Sequence, residues 1–237
     1  MKNIENEPFD DEEMPLTLHI YDNLTRMEYF DVGQEYHDAE EFQQQDEGCN
    51  FYKNVCVSVT AGREVVAYME CYLFNDGIIS DSGGNHILYA DEISQDAYNA
   101  MCALKKFGHL KPRKDMALDY LMAAYSDVTV YLRYIAVRED FRKKGIASWL
   151  LRNQCSIISR VYGSSSRVVI TSLFPQDIKW DGDVPKFDPR IDEAAETPES
   201  KQMYQAMKQL FVKNGYVQLG DTEHFVKERE RHDDFND

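Results

Sequence analysis

The 237-residue sequence contains no long apolar run, no paired cysteine motif and no export signal. Its apolar stretches, such as 65–68 and 168–170, fall far short of the roughly 20 residues that a membrane-spanning helix needs. The N-terminus is acidic rather than basic and then apolar, and the five cysteines are odd in number and widely spaced. We therefore expect a soluble, cytoplasmic protein with reduced thiols, no membrane contact and no metal site.

Basic residues are also scarce. Lysine and arginine number 26 against 42 aspartates and glutamates, which leaves a net charge of −16 at pH 7. A field of that sign repels nucleic acid and anionic lipid, and it favours cationic small molecules or basic peptides as partners. Hydrophobic residues make up 43% and aromatic residues 12% of the chain, which is enough for a full core, so a wholly disordered chain is excluded.

Hydrophobic patterning predicts an α/β chain. Because the segment 128–137 is β-branched and aromatic throughout, we expect it to be the central strand of the sheet. The predicted elements in chain order are a frayed acidic arm (1–15), a strand (16–20), a helix (35–46), a β-hairpin (55–59 and 65–74), a turn-rich stretch (75–84), a short strand (86–90), two helices (94–106 and 114–125), the central strand, a helix (145–160), a strand (167–174), a long polar loop (175–198), a helix (200–213) and two closing strands (216–219 and 224–227).

The most informative segment is the junction between the central strand and the helix that follows it. Positions 133–152 hold six basic residues and two acidic ones, a local charge of +4 in a chain of −16. A strand that leads directly into a helix leaves unpaired backbone N–H groups at the helix N-terminus, and these attract phosphate together with the helix dipole. The junction therefore predicts a polyphosphate site. Its small residues are Gly145 and Ala147, and its cationic donors are Arg142, Lys143 and Lys144.

Two common nucleotide-binding motifs are missing from this junction. It has neither the Gly-x-Gly-x-x-Gly of a Rossmann fold nor the Gly-Lys-Ser/Thr of a P-loop. Instead it reads Val-x-x-x-x-Arg-x-x-Gly-x-Ala from Val137 to Ala147, which resembles the acetyl-CoA signature of the GNAT superfamily of N-acetyltransferases. The order of the neighbouring elements is similar to the second half of that family, and Gly215-Tyr216 is similar to its closing Gly-Phe turn. The segments 75–127 and 175–198 look like insertions.

The resemblance implies a fold and a cosubstrate. The fold is a mixed, largely antiparallel sheet that splays where acetyl-CoA enters and is flanked by helices, in one domain over 16–237. The implied reaction is direct attack of a primary amine, on a small molecule or peptide, upon the acetyl thioester. Backbone groups of Ile135, Ala136 and Val137 would pair with the pantetheine arm. The pyrophosphate would be held by Arg142, Lys143, Lys144, Gly145, Ile146 and Ala147.

The sequence departs from the family at the two usual proton-transfer positions. Where some members carry a glutamate base this chain has Tyr131, and where many carry a tyrosine acid it has Phe211. Substitutes are nevertheless present. The candidate bases are Glu70, Asp91 and Glu92, and the candidate donors to the thiolate are Tyr134 and Tyr204.

Some residues that could take part in catalysis are expected to have ordinary structural roles, and other functions are also possible. His86, His224 and Cys155 are expected to be structural, and Trp180 with its neighbouring aspartates (Asp177, Asp181 and Asp183) is either an acidic lid that selects a cationic amine or part of a solvated loop. The missing glutamate and tyrosine leave a second function open, a catalytically silent acyl-CoA-binding or protein-interaction module. A nucleic-acid binder would rest on one Arg-Lys-Lys run and is disfavoured. The sequence leaves the oligomeric state undetermined, a homodimer being one option.

Overall fold

The structure, a computed structural model, describes residues 16–22, 26–31, 51–110, 127–162, 165–172, 178–181, 184–187 and 198–228. The predicted arm (1–15) and the predicted helices at 35–46 and 114–125 lie outside these ranges. The strands are β1 (Leu16–Asp22), β2 (Arg26–Asp31), β3 (Tyr52–Ala61), β4 (Glu64–Asn75), β5 (Asp127–Val137), β6 (Ser165–Ser172), β7 (Ile178–Asp181), β8 (Val184–Phe187), β9 (Val217–Gln218) and β10 (His224–Glu228). The helices are α1 (Asp76–Asp81), α2 (His86–Ile93), α3 (Gln95–Lys106), α4 (Ile146–Tyr162) and α5 (Pro198–Lys213).

Eight of the described strands form one sheet in the order β2-β1-β3-β4-β5-β6-β10-β9. Its pairs are antiparallel except β5 with β6, which are parallel and are connected through α4. A parallel pair needs such a crossover because the chain must return to the same end of the sheet. The chain is therefore an α/β protein with a mostly antiparallel sheet, as expected, and β5 lies in the interior of that sheet.

Each face of the sheet carries its own apolar core. On one, here called the α4 face, Ile146 and Leu150 of α4 and Phe211 of α5 pack with alternate residues of the strands, such as Met69 and Leu132. On the other, here called the α3 face, α1, α2 and α3 cover side chains that include Phe74, Tyr131, Val168 and Ile170. Because successive strand residues point to opposite faces, neighbours in β4 and β5 belong to different cores.

The stretch 75–84, predicted as turns, forms a helix over 76–81 with a turn only at 82–83, and the prediction of a short strand over 86–90 is wrong, since that segment lies in α2. Asn75 accepts a hydrogen bond from the Ile78 N–H (2.9 Å) and so caps α1. Asn85 accepts from Ile87 and Leu88 (3.0 and 3.2 Å) and caps α2. Asparagine favours both turns and N-caps, and here the capping role applies. The prediction of helix 94–106 is confirmed by α3, which Ser94 caps.

The segment 175–198 is not wholly a loop. It contains the antiparallel hairpin of β7 and β8, with Trp180 opposite Pro185. The remaining strand and helix predictions are confirmed within a few residues, including the hairpin of β3 and β4, the central strand β5 and the helix that begins after Gly145.

Candidate functional site

The sheet opens between its two parallel strands. The pairing of β5 with β6 ends at Leu132 and Thr171 in the described part of the chain, whereas β5 stays paired with β4 as far as Val137. Residues 133–137 thus present one backbone edge that no described strand covers. The fork lies at the C-terminal ends of both parallel strands, a common place for ligands in open α/β sheets.

The backbone groups along this open edge can be assigned from one hydrogen bond. The Arg138 N–H donates to the Val66 carbonyl of β4 (2.9 Å). Since strand residues alternate in the direction of their backbone groups, Ile135 and Val137 direct theirs toward the fork. The Val137 carbonyl accepts from the Arg142 Nε (3.2 Å). The Ala136 side chain, by contrast, is buried within the fold.

A basic turn follows the fork directly. A short 3₁₀ turn, Glu139–Phe141, leads into Arg142, Lys143, Lys144 and Gly145, all of which are exposed. Lys143 and Gly145 adopt left-handed backbone conformations, with φ of 65° and 84°. The Lys144 ammonium lies 5.0 Å from the centre of the Phe141 ring. The turn therefore gathers three cations beside the first turn of α4.

The first turn of α4 is arranged to receive an anion. Its first backbone hydrogen bond runs from the Trp149 N–H to the Gly145 carbonyl (2.9 Å), so the preceding N–H groups lack a partner within the helix. Ile146 is buried and fixes the helix start in the core. A Cβ added at Gly145 would meet no atom within 4 Å, which means that open space lies above the turn. Ala147 is half-buried and small.

The β7–β8 hairpin contacts the start of this turn. The Arg138 guanidinium lies 4.9 Å from the centre of the Trp180 ring and also pairs with the Glu64 carboxylate. Trp180 therefore lies at the basic turn, in a hairpin strand, whereas the sequence left an acidic lid or a solvated loop open. Its neighbours Asp177 and Asp183 lie outside the described residues.

A hydrogen-bonded carboxylate cluster lies on the α3 face next to the fork. Glu70 of β4 is 5% exposed. It accepts hydrogen bonds from the Tyr134 hydroxyl, from the Arg133 Nη1 (3.0 Å) and from the Asn54 amide (3.3 Å). Two of the predicted site residues, Glu70 and Tyr134, are thus in direct contact. We call Glu70, Arg133, Tyr134 and Asn54 the Glu70 cluster.

A β-bulge brings Arg133 and Tyr134 to the same carboxylate. Consecutive strand residues normally face opposite sides of a sheet. Here Tyr134 pairs with Glu70 while Leu132 pairs with the next residue, Cys71, so Arg133 is an extra residue in β5. Bulges re-aim side chains and are frequent near active sites. Nothing in the sequence pattern reveals this one.

Tyrosine rings surround the Glu70 cluster. Tyr68 stacks on Tyr134 at 6.1 Å between ring centres, and the Tyr72 hydroxyl lies 3.5 Å from the Arg133 Nη1. Burial raises the pKa of Tyr134, and the hydrogen bond and negative charge of Glu70 raise it further. Burial and the same charge raise the pKa of Tyr72 to about 12. Both hydroxyls are therefore protonated at neutral pH.

The Arg133 guanidinium is charged as well. Burial alone would lower its pKa, but the carboxylate of Glu70 outweighs that effect and the net shift is upward. The cluster accordingly combines a buried anion, an adjacent cation and a protonated hydroxyl. Such a set can hold an amine and accept its proton through a hydroxyl.

A second hydrogen-bonded group lies on the far side of the fork. The Ser172 hydroxyl at the end of β6 is 2.9 Å from the His224 Nδ1 of β10, and both residues are buried. Burial lowers the pKa of His224, which keeps the imidazole neutral at neutral pH. Ser172 is also a hydrogen-bond partner of the Tyr131 hydroxyl, and burial raises the pKa of Tyr131. No local sequence pattern indicates this contact, because its residues lie far apart in the chain.

The other sequence candidates lie elsewhere. Asp91 and Glu92 are exposed on α2, not after a strand, and neither is among the hydrogen-bond partners of Glu70. Tyr204 packs against the core on the α4 face, and Phe211 is fully buried there. His86 contacts the Asp76 carboxylate at 2.7 Å, which in turn accepts from the Thr129 N–H, so this histidine connects α2 to α1 and β5.

Comparisons with known proteins add no assignment. No protein-family model matches the sequence, and no curated protein matches it. None of the described helices is both long and apolar enough to span a membrane. Within the described ranges, no group of His, Cys, Asp and Glu side chains is placed to hold a metal ion.

Proposed function

We propose that this protein transfers an acetyl group from acetyl-CoA to a primary amine. The observation that carries the proposal is the open edge of β5 at the fork, followed at once by the basic turn and the N-terminus of α4. The GNAT-like signature from Val137 to Ala147 supports it, since its residues form that turn. The order of the sheet, with one parallel pair next to the fork, is consistent with the fold that the resemblance implies.

The residues of the turn fit the diphosphate of acetyl-CoA. Arg142, Lys143 and Lys144 supply exposed positive charge, and helix N-terminal N–H groups bind phosphate readily. Gly145 leaves open space and tolerates its left-handed conformation without strain. The edge of β5 at Ile135 and Val137 offers an extended chain of backbone donors and acceptors for a pantetheine arm.

The harder proton problem in this reaction is at the amine. A lysine-like ammonium with a pKa of about 10.4 is neutral in roughly one molecule per thousand near pH 7.4, so deprotonation costs about 4 kcal/mol. A thiol with a pKa of about 8.5 leaves as the thiolate with little help. Bound acetyl-CoA would supply the thioester carbon that the amine attacks. A base is therefore more important than an acid.

The Glu70 cluster can serve as that base. The Tyr134 hydroxyl donates to Glu70. In the proposed step its oxygen accepts a proton from the substrate ammonium while its own proton moves to the carboxylate. The ammonium thus loses one proton and Glu70 becomes neutral. When the resulting amine attacks the thioester, the C–S bond breaks and the departing thiolate takes up the second proton from the nitrogen, which balances the reaction. Backbone N–H groups on the open edge of β5 would polarise the thioester carbonyl, and positioning in one ternary complex lowers the barrier further.

One observation favours a second function. Tyr131 and Phe211, at the family's usual base and acid positions, are 2% and 1% exposed and belong to the two cores. A catalytically silent acyl-CoA-binding or protein-interaction module would need no group there. For the transferase we propose acetyl-CoA and an amine or peptide as partners, a cytoplasmic location without nucleic acid or membrane, and one domain over 16–237.

The test is calorimetric titration of acetyl-CoA at about 150 mM salt, where charges more than about 8 Å apart are screened. The variants are Arg142→Glu and, as matched control, Arg152→Glu. Arg152 is also exposed, but it lies further along α4, where its Nε contacts the Ser148 carbonyl. We expect micromolar binding that is lost in Arg142→Glu and kept in the control.

Turnover separates the two functions. Release of CoA thiol is followed with a panel of amines, and steady production above hydrolysis supports the transferase. Binding without turnover supports the silent module. If wild type does not bind acetyl-CoA at all, the transferase and the acyl-CoA-binding module are both contradicted, and only a protein-interaction module is left.

A further inference from the structure

We propose that the acceptor is an amine that also carries a carboxylate, and that Arg133 binds this carboxylate. The proposal rests on the transferase function above and specifies the substrate class of the same site. It replaces a general preference for cationic amines with a preference for zwitterions, such as amino acids or a peptide terminus with a nearby carboxylate.

The Glu70 cluster presents Arg133, not its carboxylate, to solvent. The Glu70 side chain is only 6% exposed, whereas that of Arg133 is 40% exposed. Three donors already surround the carboxylate. An incoming ammonium therefore cannot reach Glu70 directly, and the charged group that meets the acceptor is the guanidinium of Arg133.

Arg133 is held in place by contacts that leave some of its N–H donors for a ligand. Its Nη1 contacts Glu70 at 3.0 Å and the Tyr72 hydroxyl at 3.5 Å, and its guanidinium lies 5.3 Å from the centre of the Tyr134 ring. These contacts use one nitrogen and one face of the group. A guanidinium has five N–H donors in a planar fork, so its outer edge is available for a carboxylate, which it binds with two parallel hydrogen bonds.

The spacing between the Arg133 guanidinium and the Tyr134 hydroxyl suits an amine that carries a carboxylate. Arg133 and Tyr134 donate to the two oxygens of one carboxylate. The outer edge of the guanidinium and the Tyr134 hydroxyl therefore lie a few bond lengths apart, on the same face of the sheet. An amine bound at Tyr134 with a carboxylate a few bonds away can reach Arg133 without rearrangement of the cluster.

The charge of the whole chain agrees with a zwitterion. A net charge of −16 opposes the approach of an anion, but an amino acid at neutral pH has no net charge. Near the site, the fixed positive charge of Arg133 offsets the cost of removing the substrate carboxylate from water. A purely cationic amine would instead face this guanidinium.

The experiment uses acceptor pairs that differ only in the carboxylate: lysine and cadaverine, tyrosine and tyramine, histidine and histamine, phenylalanine and phenethylamine. CoA release is measured with wild type, Arg133→Gln, Arg133→Lys and the control Arg63→Gln, whose arginine lies exposed in the turn between β3 and β4. Binding of the same pairs to the protein is measured in parallel by ligand-observed NMR, which needs no turnover.

We expect the carboxylated member of at least one pair to be preferred by about tenfold or more in kcat/KM, which corresponds to about 1.4 kcal/mol. The preference should disappear in Arg133→Gln, mainly through KM, fall in Arg133→Lys and persist in Arg63→Gln. If Arg133→Gln does not fold, the paired comparison in wild type and the lysine variant still decides.

Equal or better binding and turnover of the amines without a carboxylate would overturn the proposal, as would a preference that survives Arg133→Gln. These outcomes are distinct from failure of the transferase function. That failure appears as loss of acetyl-CoA binding or of all turnover, while the NMR comparison continues to test Arg133.

Discussion

Replacing Glu70 by glutamine tests whether the Glu70 cluster acts as one proton-accepting unit. The glutamine keeps the shape of the side chain, but its amide nitrogen must face one of the three donors that surround the carboxylate. Hydrogen bonds to a charged group contribute about 1.5–3 kcal/mol each, and the bond to the half-exposed Arg133 is at the low end because water can replace it. We expect a loss of about 2 kcal/mol in the free energy of unfolding. Urea denaturation should show this as a lower midpoint with an unchanged slope.

The effect on turnover should be larger than the effect on stability. Removal of a general base typically slows a reaction by about 10²–10⁴, and we expect a decrease in that range for Glu70→Gln with its best acceptor. Tyr134→Phe, which keeps the ring but removes the hydroxyl, should lose about 1 kcal/mol of stability. It should slow turnover by a similar factor.

A double-mutant cycle provides the decisive comparison. If the amine proton passes through Tyr134 to Glu70, the double variant should be no slower than the slower single variant, because residues that act as a unit are not additive. Rates that multiply instead would refute the relay. The assay is CoA thiol release at saturating acetyl-CoA, run on samples whose folded fraction has been checked by denaturation.

Three further predictions concern the turn, the tyrosines and the buried histidine. Gly145→Ala should lower the free energy of unfolding by about 1 kcal/mol because of the left-handed φ, and it should weaken acetyl-CoA binding at least about tenfold by calorimetry. The control Gly83→Ala, with φ of 68° and equally open space, should lower stability by the same amount and leave binding unchanged. Equal affinities in the two variants would contradict the phosphate site. The tyrosines with raised pKa should ionise at a higher pH than free tyrosine when absorbance is followed at alkaline pH. Because their pKa is higher in the folded state, the free energy of unfolding falls as pH rises above about 10. Full ionisation of these tyrosines before the protein unfolds would contradict this prediction. Burial lowers the pKa of His224, so the free energy of unfolding should fall as pH drops below about 6.5, by at most about 1.4 kcal/mol per pH unit. His224→Gln should reduce this dependence on pH below about 6.5, as measured by thermal unfolding.

Much of the fold follows from local sequence pattern, and the exceptions have identifiable causes. The β3–β4 hairpin and the central strand have β-branched, alternating sequences that few other structures accommodate, and their prediction is confirmed. Asn75 opens the stretch predicted as turns, but the same side-chain oxygen that closes a turn also caps a helix. Asn85 caps the following helix in the same way. The capping role depends on the core that α1 and α2 cover, which is a tertiary effect.

Only part of the candidate site could be predicted from the sequence. The basic turn could be predicted because its residues are consecutive, and the left-handed φ of Gly145 agrees with the choice of glycine there. Two members of the Glu70 cluster, Glu70 and Tyr134, could be named from the sequence, but only as separate candidates. The bulge at Arg133, which brings Arg133 and Tyr134 to one carboxylate, has no signal in the sequence pattern. Contacts such as Ser172 with His224 depend on strand order, which no local pattern encodes.

The position of β10 has a consequence for how the chain folds as it is synthesised. β10 lies between β6 and β9 in the sheet, and the contact of Ser172 with His224 joins residues 52 positions apart. Closing a loop of that length costs about 3–4 kcal/mol of chain entropy. Until β10 emerges from the ribosome, Val168 and Ile170 stand on an unpaired strand edge next to the fork. A nascent chain paused at that stage exposes an apolar strand edge. We expect the chain to be most prone to aggregation during this interval.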